Sequence, residues 1–350
     1  MFRILLLSVT LLTALLIRGQ DAGFTQFFTN PIYYNPALSG ADGGLNVRTN
    51  YRNFWRKMDK GFNTVDLTVD SDEPFLSGGI GFIALSGIEG NGIIKTQMFG
   101  LSYSYNLLVI PRKFDIQMGL QGAYVQKHFK TENLIFSDQL DPIYGASGNS
   151  LYSYNGIDNV IYPDFSTGIN FRFNLGKVQH GSPLATVNIG AALHHITQPN
   201  ESFTGLKAPL PVKYVAYANT LIRANIDYKR YLFITPGFIY EQQSIFKTLL
   251  VGSNIMLRPV YVGLWFRNNG FSGKDNLSSI ALNAGIKLDM GSDATLQIGY
   301  SYDINVSKYQ NLMGDAHEIS LRIQFNELQL FSNAGKNRNG RQYKSCFNKF

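Results

Sequence analysis

One cysteine, Cys346, occurs in 350 residues. It has no partner for an internal disulfide, and a structural metal site built on several thiolates is excluded with it. Charge is also scarce: 16% of the residues are Asp, Glu, Lys or Arg, against about 25% in an ordinary soluble domain. Beyond the N-terminus no apolar run reaches the roughly 18 residues that a membrane-spanning helix needs. No segment carries a convincing helical period. No serine stands in a Gly-x-Ser-x-Gly setting and no glycine-rich loop leads into a helix, so common nucleophile and phosphate-binding motifs are missing. The net charge of +7 is spread along the chain apart from a basic tail, a poor basis for nucleic-acid binding.

The N-terminus is the exception to the lack of apolar runs. Arg3 precedes a stretch from Ile4 to Ile17 broken only by Ser8, Thr10 and Thr13, and Arg18, Gly19 and Gln20 follow. A positive start, a short apolar run and a small residue at the cut site describe a secretory signal peptide over residues 1–19, too short for a comfortable span. Cutting after Gly19 leaves Gln20 first, and with no cysteine nearby the protein is not a lipoprotein.

What the remainder has in abundance is two-residue alternation. Asn46, Arg48, Asn50 and Arg52 alternate with Leu45, Val47, Thr49 and Tyr51; Phe165, Thr167, Ile169, Phe171 and Phe173 alternate with Ser166, Gly168, Asn170, Arg172 and Asn174. Such a period makes strands with one polar and one apolar face. About fourteen are expected: 44–55, 61–71, 76–86, 94–106, 113–128, 163–175, 184–195, 212–226, 230–241, 247–256, 259–268, 277–288, 293–304 and 315–326. Many reach ten residues, long against a globular mean of about 5–6 but suited to crossing a bilayer at a tilt.

The connections sort by parity. Short ones (SDEP, 110–113, DYKR, 257–259 and DMGS) alternate with a set that includes 129–162, 196–211, 268–276 and 305–314. Short turns on one side and longer loops on the other characterise outer-membrane barrels, with the short turns in the periplasm. The fold expected is therefore all-β: a closed antiparallel transmembrane barrel of about fourteen strands over 44–326, with periplasmic termini. Leu45, Ile298 and Ile323 should face lipid, and Arg48, Arg172, Gln297 and Arg322 the lumen. A secreted sandwich is the competing class, disfavoured by aromatics near strand ends and Arg, Asn, Gln and Glu on the polar faces. If strand 184–195 holds, His194 and His195 point to opposite faces and make no two-histidine metal site. Asp315 and His317 share a face without Glu318, a pairing suited to a loop-edge hydrogen bond. Gly78, Gly79 and Gly81 mark strand kinks or close-packed lumen positions. No enzymatic role and no cofactor is expected.

Before the barrel comes NPIYYNPALSG at residues 30–40, within an N-terminal arm over 20–43 on the periplasmic side. Its two Asn-Pro pairs exclude helix interior and central strand. The arm either occupies the lumen or covers its periplasmic mouth, or else clamps against the barrel wall ahead of the first strand.

The arm and its continuation, NPIYYNPALSGADGGLNVRTNYRNFW, resemble the N-terminal pattern of the PorP/SprF family of Bacteroidota outer-membrane proteins: Asn30, Pro31, Tyr34, Asn35, Pro36 and Gly40 in the arm, then Tyr51, Arg52 and Trp55 closing the first strand. GAALHHITQPNESFTGLKAPLPVKY resembles the family's His-x-x-x-Pro loop, ending here at Pro199. TPGFIYEQQ, VGLWFR, YSYDINVS and HEISLRIQF are similar to later strands. CFNKF departs from the expected Cys-Pro-basic-Phe end, with Phe347 in place of proline. The resemblance implies a role in type IX secretion: partnering the export of a large surface protein or gliding adhesin and holding its C-terminal signal domain at the cell surface. The expected partners are that protein, periplasmic secretion components and outer-membrane lipid. A passive or substrate-specific porin is the alternative.

The arm residues above are expected to dock a partner. Loop 129–162, with Asp138, Asp141, Tyr152 and Tyr154, mixes acids, tyrosines, glycine and serine as recognition loops do, and is expected outside the cell, in contact with cargo. The tail over 327–350, with Lys336, Arg338, Arg341, Lys344 and Lys349, is expected in the periplasm.

Overall fold

The computed structural model describes the chain from Asp21 to Phe331 except residues 58–60, 91, 131–133, 135, 142, 144, 147–149, 151–155, 177–182, 228–229, 271–276, 292, 308–310, 312–313 and 327. The expected signal peptide, Tyr152, Tyr154 and the basic tail from residue 332 lie outside the described residues.

Alternation produces strands throughout. They are β1 (Leu45–Phe54), β2 (Phe62–Glu73), β3 (Gly78–Glu89), β4 (Ile94–Ile110), β5 (Phe114–Phe129), β6 (Leu140–Asp141), β7 (Gly145–Ala146) and β8 (Asn159–Leu175). There follow β9 (Ala185–His194), β10 (Lys213–Asp227), β11 (Arg230–Gln243), β12 (Phe246–Leu257), β13 (Val260–Asn269), β14 (Leu277–Met290), β15 (Ala294–Asn305) and β16 (Ala316–Phe325). The pair β6 and β7 is a small hairpin in the loop after β5; the other fourteen strands close into one antiparallel barrel. Closure pairs β1 with β16, Leu45 opposite Phe325 and Asn53 opposite His317. No helix among the described residues is long and apolar enough to cross a membrane.

All fourteen expected strands are present, with some ends moved. β4 runs on to Ile110, and β8 begins at Asn159 because Pro163 is carried within the ladder, opposite Tyr124, instead of starting the strand. The start of β1 and the end of β16 share one rim, here the chain-end rim. The ends of β1, β3, β5, β9, β11, β13 and β15 lie at the far rim. The sorting by length is incomplete: Ser244 and Ile245 make a two-residue turn at the far rim, while at the other rim β8 ends at Leu175 and β9 starts only at Ala185.

Asn46, Arg48, Asn50 and Arg52 are buried inside, while Tyr51 is exposed outside. Gln297, Arg172 and Arg322 are buried inward and Ile298 is exposed outward, in the expected register. Two expectations fail. Leu45 has outward parity but is only 9% exposed; its pairing partner Ser71 is covered by Leu330, because the chain leaving β16 folds back over the outer wall. His194 and His195 are both buried instead of facing opposite ways. The alternation stops at His194, and His195 adopts a φ of 58° that turns its ring inward.

Outward Phe75, Tyr103 and Tyr105 are exposed near the chain-end rim, and Phe114 stacks on Phe173 there with ring centroids 4.6 Å apart. Bands of this kind mark the membrane interface.

Candidate functional site in the filled lumen

Residues 21–44 run inside the barrel. Asp21 lies at the far rim, between His195, which follows β9, and Gln243, which ends β11. Gly40 lies near the chain-end rim, its N–H donating to Asp70 Oδ2 at 2.9 Å. The arm therefore threads the whole lumen, backwards relative to β1, and of the three placements open to it takes the first. It is irregular for the reason its prolines give: Pro31 opens a single helical turn to Tyr34, and Pro36 a short 3-10 turn to Leu38.

Two kinds of wall receive it. Along β10–β14 the inner wall is apolar, with Tyr217, Ile239, Leu250, Met256, Tyr261, Trp265 and Ala281 buried against Phe24, Phe27, Phe28 and Tyr34 of the arm. Phe27 meets Trp265 edge-on with centroids 5.3 Å apart, and Phe28 meets Tyr261 at 6.4 Å. Burial of such rings is the largest apolar contribution that single side chains make.

The remaining wall is polar and holds the arm by hydrogen bonds. Glu318 accepts the N–H of Thr25 at 2.7 Å and of Gln26 at 2.9 Å. Asn30 donates to Asp66 at 2.6 Å, and Thr29 to Asn50 at 2.8 Å. Asn35 donates its amide to the Ile169 carbonyl at 3.0 Å and caps Ala37 N–H with its oxygen. Tyr34 Oη lies 2.9 Å from Phe24 O, folding the arm on itself. Ser104 donates to Ser39 O at 2.6 Å; on the otherwise apolar side, Arg267 of β13 donates to Phe24 O at 2.8 Å. Where the arm backbone leans on the wall, the wall is glycine. A Cβ at Gly119 would collide with Ala37 N, one at Gly168 with Asn35 Oδ1 and one at Gly79 with Ser39 O, so a close approach requires the missing side chain.

Charges are matched at both ends. Asp42 accepts from Arg48 of β1 at 2.6 Å and from Arg322 of β16 at 2.8 Å, bridging the closing seam, while Arg48 also pairs with Asp70. Arg52 reaches across the seam to Asp303 and Glu318, each at 2.7 Å. Arg172 lies 3.7 Å from Asp115 and donates to Ala41 O at 3.4 Å.

At the far rim His195 lies 2.7 Å from Asp21 and 2.9 Å from Asp164, and Lys213 pairs with Glu241 at 2.7 Å beside them. Burial works against a charged His195, but the Asp21 and Asp164 carboxylates outweigh it and raise the imidazole to about 10. Burial likewise disfavours the Asp21 carboxylate, and the His195 charge and hydrogen bond overcome it, taking Asp21 below the usual range. Asp21 is thus clasped by opposite charge at the far rim.

The other residues singled out in the sequence fall elsewhere. Tyr51 is outside the barrel, its hydroxyl 2.9 Å from Asn63. Trp55 packs on Phe62 at 4.8 Å, also away from the lumen. Asp138 accepts from Ser150 at 2.8 Å, Asp141 belongs to β6, and the Pro199 carbonyl accepts Leu210 N–H at 2.9 Å, all at the far rim. His317 meets Tyr300 at 2.6 Å and Asp315 accepts from Tyr302 at 2.6 Å. Asp21, Thr25, Gln26, Asp42, Asp66, Asp303 and Lys213 were not singled out. The available signal was the row of acids at inward strand positions, facing an arm rich in unpaired backbone donors. No group of three or more potential metal ligands occurs among the described residues.

No curated protein matches the sequence. Among solved structures the chain is similar in fold to the CymD monoaromatic hydrocarbon channel (10% identity, TM-score 0.47, covering 90% of this chain and 96% of that one). It is similar also to a FadL homologue of Pseudomonas aeruginosa (11%, 0.44, 85% and 94%) and to the outer membrane protein Omp33 of Acinetobacter baumannii (9%, 0.38, 82% and 99%). Residues 17–323 match the family described as type IX secretion system membrane protein PorP/SprF. With that match spanning a closed fourteen-stranded barrel, the chain belongs to the PorP/SprF family and is an outer-membrane protein of type IX secretion.

Proposed function

We propose that this protein is a sealed docking barrel: it partners the export of a large surface protein, such as a gliding adhesin, and holds that protein's C-terminal signal domain at the cell surface. The filled lumen is the observation that carries this reading. A porin needs an open polar channel, whereas here the arm from Thr25 to Asp42 is buried along its length apart from a half-buried Tyr33 and packs on an apolar inner wall. A barrel that transmits no solute has its rims left to work with.

The far rim, read as the outer one, offers the loops between β5 and β8 and between β9 and β10. The second is braced on the barrel by the Lys127–Glu201 ion pair and by Phe203 against Phe129, ring centroids 5.4 Å apart. In this reading Asp138, Asp141, Tyr152, Tyr154 and Pro199 belong to the cargo-recognition surface, the arm motif serves the seal, and the basic tail meets periplasmic secretion components. The barrel does no chemistry.

The test is a pair of measurements on the purified protein and on cells. Planar bilayers should show little steady conductance from the intact barrel, and excision of residues 142–156 should abolish surface retention of the co-purifying exported protein while the barrel still assembles. Steady porin-like conductance of the intact protein, with retention unaffected by the excision, would return the porin alternative.

A further inference from the structure

The outer wall carries a polar notch where an outer-membrane barrel should present apolar side chains. On the chain-end half of β1 and β2 the outward positions include Ser71 and Glu73, both 0% exposed, although outward Val65 and Leu67 further along β2 are more than 40% exposed. A carboxylate facing hydrocarbon would cost several kcal/mol. Glu73 is instead covered from outside. Its Oε1 accepts Leu330 N–H at 2.8 Å, Phe331 N–H at 3.4 Å and the Ser71 hydroxyl at 2.8 Å. Leu330 N–H lies 3.3 Å from Ser71 Oγ as well. The chain leaving β16 is thus hooked by its backbone over the first hairpin, on the far side of the seam from the strand it left.

The hook's side chains turn away from what its backbone covers. Leu328, Leu330 and Phe331 are 51%, 49% and 69% exposed. They continue the band formed at this rim by Phe75, Tyr103 and Tyr105, also exposed and outward. A peptide whose Leu330 and Phe331 N–H groups point inward while three large apolar side chains stay exposed is suited to an apolar neighbour.

We propose that Leu328–Phe331 is a membrane-interface collar, which lays Leu328, Leu330 and Phe331 against the phospholipid acyl chains at the chain-end rim and seals the Ser71–Glu73 notch from them. The partner is the leaflet on that side. Continuity with the aromatic band favours lipid over a protein partner, and the notch gives the collar its purpose: the polar outer face lets the hook be held by hydrogen bonds, and the hook makes the face tolerable in lipid. The inference rests on the outer-membrane barrel alone and is independent of what the barrel docks.

The experiment uses tryptophan fluorescence in vesicles. The chain has two tryptophans, Trp55 and Trp265, so Phe331→Trp is placed in a Trp55→Phe background and the signal of that background, from buried Trp265, is subtracted. In vesicles of phosphatidylcholine brominated on its acyl chains, the added emission should fall at least two-fold, with little quenching by aqueous iodide. Quenching by iodide instead, or by neither agent, would overturn the proposal, the first placing the residue in water and the second beneath protein. Adding Leu330→Pro removes the N–H shared by Ser71 and Glu73, and should move quenching from brominated lipid towards iodide. An unchanged pattern would show that these hydrogen bonds do not hold the collar.

Discussion

The two carboxylate oxygens of Glu318 take the backbone N–H groups of consecutive residues, Thr25 at 2.7 Å and Gln26 at 2.9 Å, while Arg52 neutralises the same group at 2.7 Å. One strand residue thus fixes both the position and the direction of the arm near the far rim. Glu318→Ala leaves two buried amides without their acceptor and Arg52 with Asp303 as its one remaining carboxylate, and should destabilise the barrel by about 3–5 kcal/mol, the cost of breaking a buried pair. Urea unfolding in vesicles reads that loss. Glu318→Gln keeps one acceptor and should lose less, and equal losses would mean that the charge is all that matters.

Glycine at the arm's contacts should be more demanding than glycine outside. A Cβ at Gly119 meets the backbone of Pro36 and Ala37, whereas one at outward-facing Gly122 meets only the Phe165 ring at an ordinary 3.5 Å. Gly119→Ala should cost about 1–3 kcal/mol through overpacking and raise single-channel conductance as the arm shifts, with Gly122→Ala close to neutral. Equal effects of the two would sink the account of a close-packed seal.

The clasp on Asp21 should depend on pH in a definite direction. His195 rises from 6.5 to about 10 on folding, so its contribution is complete below about pH 6.5 and is lost as pH climbs through 10. Asp21 is lowered from 3.8, so its contribution is complete above about pH 4 and is lost as pH falls further. The clasp is therefore strongest between about pH 4 and 6.5 and weakens steadily on the alkaline side. The stability difference between wild type and Asp21→Asn should be larger at pH 6 than at pH 9.5. A difference that grew with pH would reverse the assignment.

On the outside, Ile298 is 40% exposed in the middle of β15. Ile298→Arg should cost about 2–4 kcal/mol if that position lies near the bilayer midplane. Folding titrations into vesicles measure it, and an arginine tolerated there at no cost would move the membrane band along the barrel.

The barrel was legible in the sequence because a two-residue period is local information. Arg48, Gln297 and Arg322 could be placed inside from their neighbours alone, and the fourteen strands followed from the same rule. What the arm does was not local. Thr25 and Glu318 are 293 positions apart, and nothing near either residue names the other. Periodicity also carried His195 and Leu45 too far. The first lies one residue past its strand, where a φ of 58° replaces the alternation. The second keeps its parity but is covered by chain returning from β16, which a rule about strands does not see. The far-rim residues Asp138 and Pro199 were recognisable as loop residues, though the braces under them, Glu201 and Phe203, again join distant segments.

Asp42 ties the arm to Arg48 on the first strand and to Arg322 on the last. A chain laid through the middle of a cylinder, and gripped by the two staves that complete it, is poorly placed to be pushed in afterwards. Insertion and closure become a single cooperative event: until β16 arrives, Asp42 lacks one cation and the amides of Thr25 and Gln26 lack their acceptor. The arm is then as much a gauge of completion as a seal, since Arg48 and Arg322 meet at the same carboxylate when the first and last staves pair in this register.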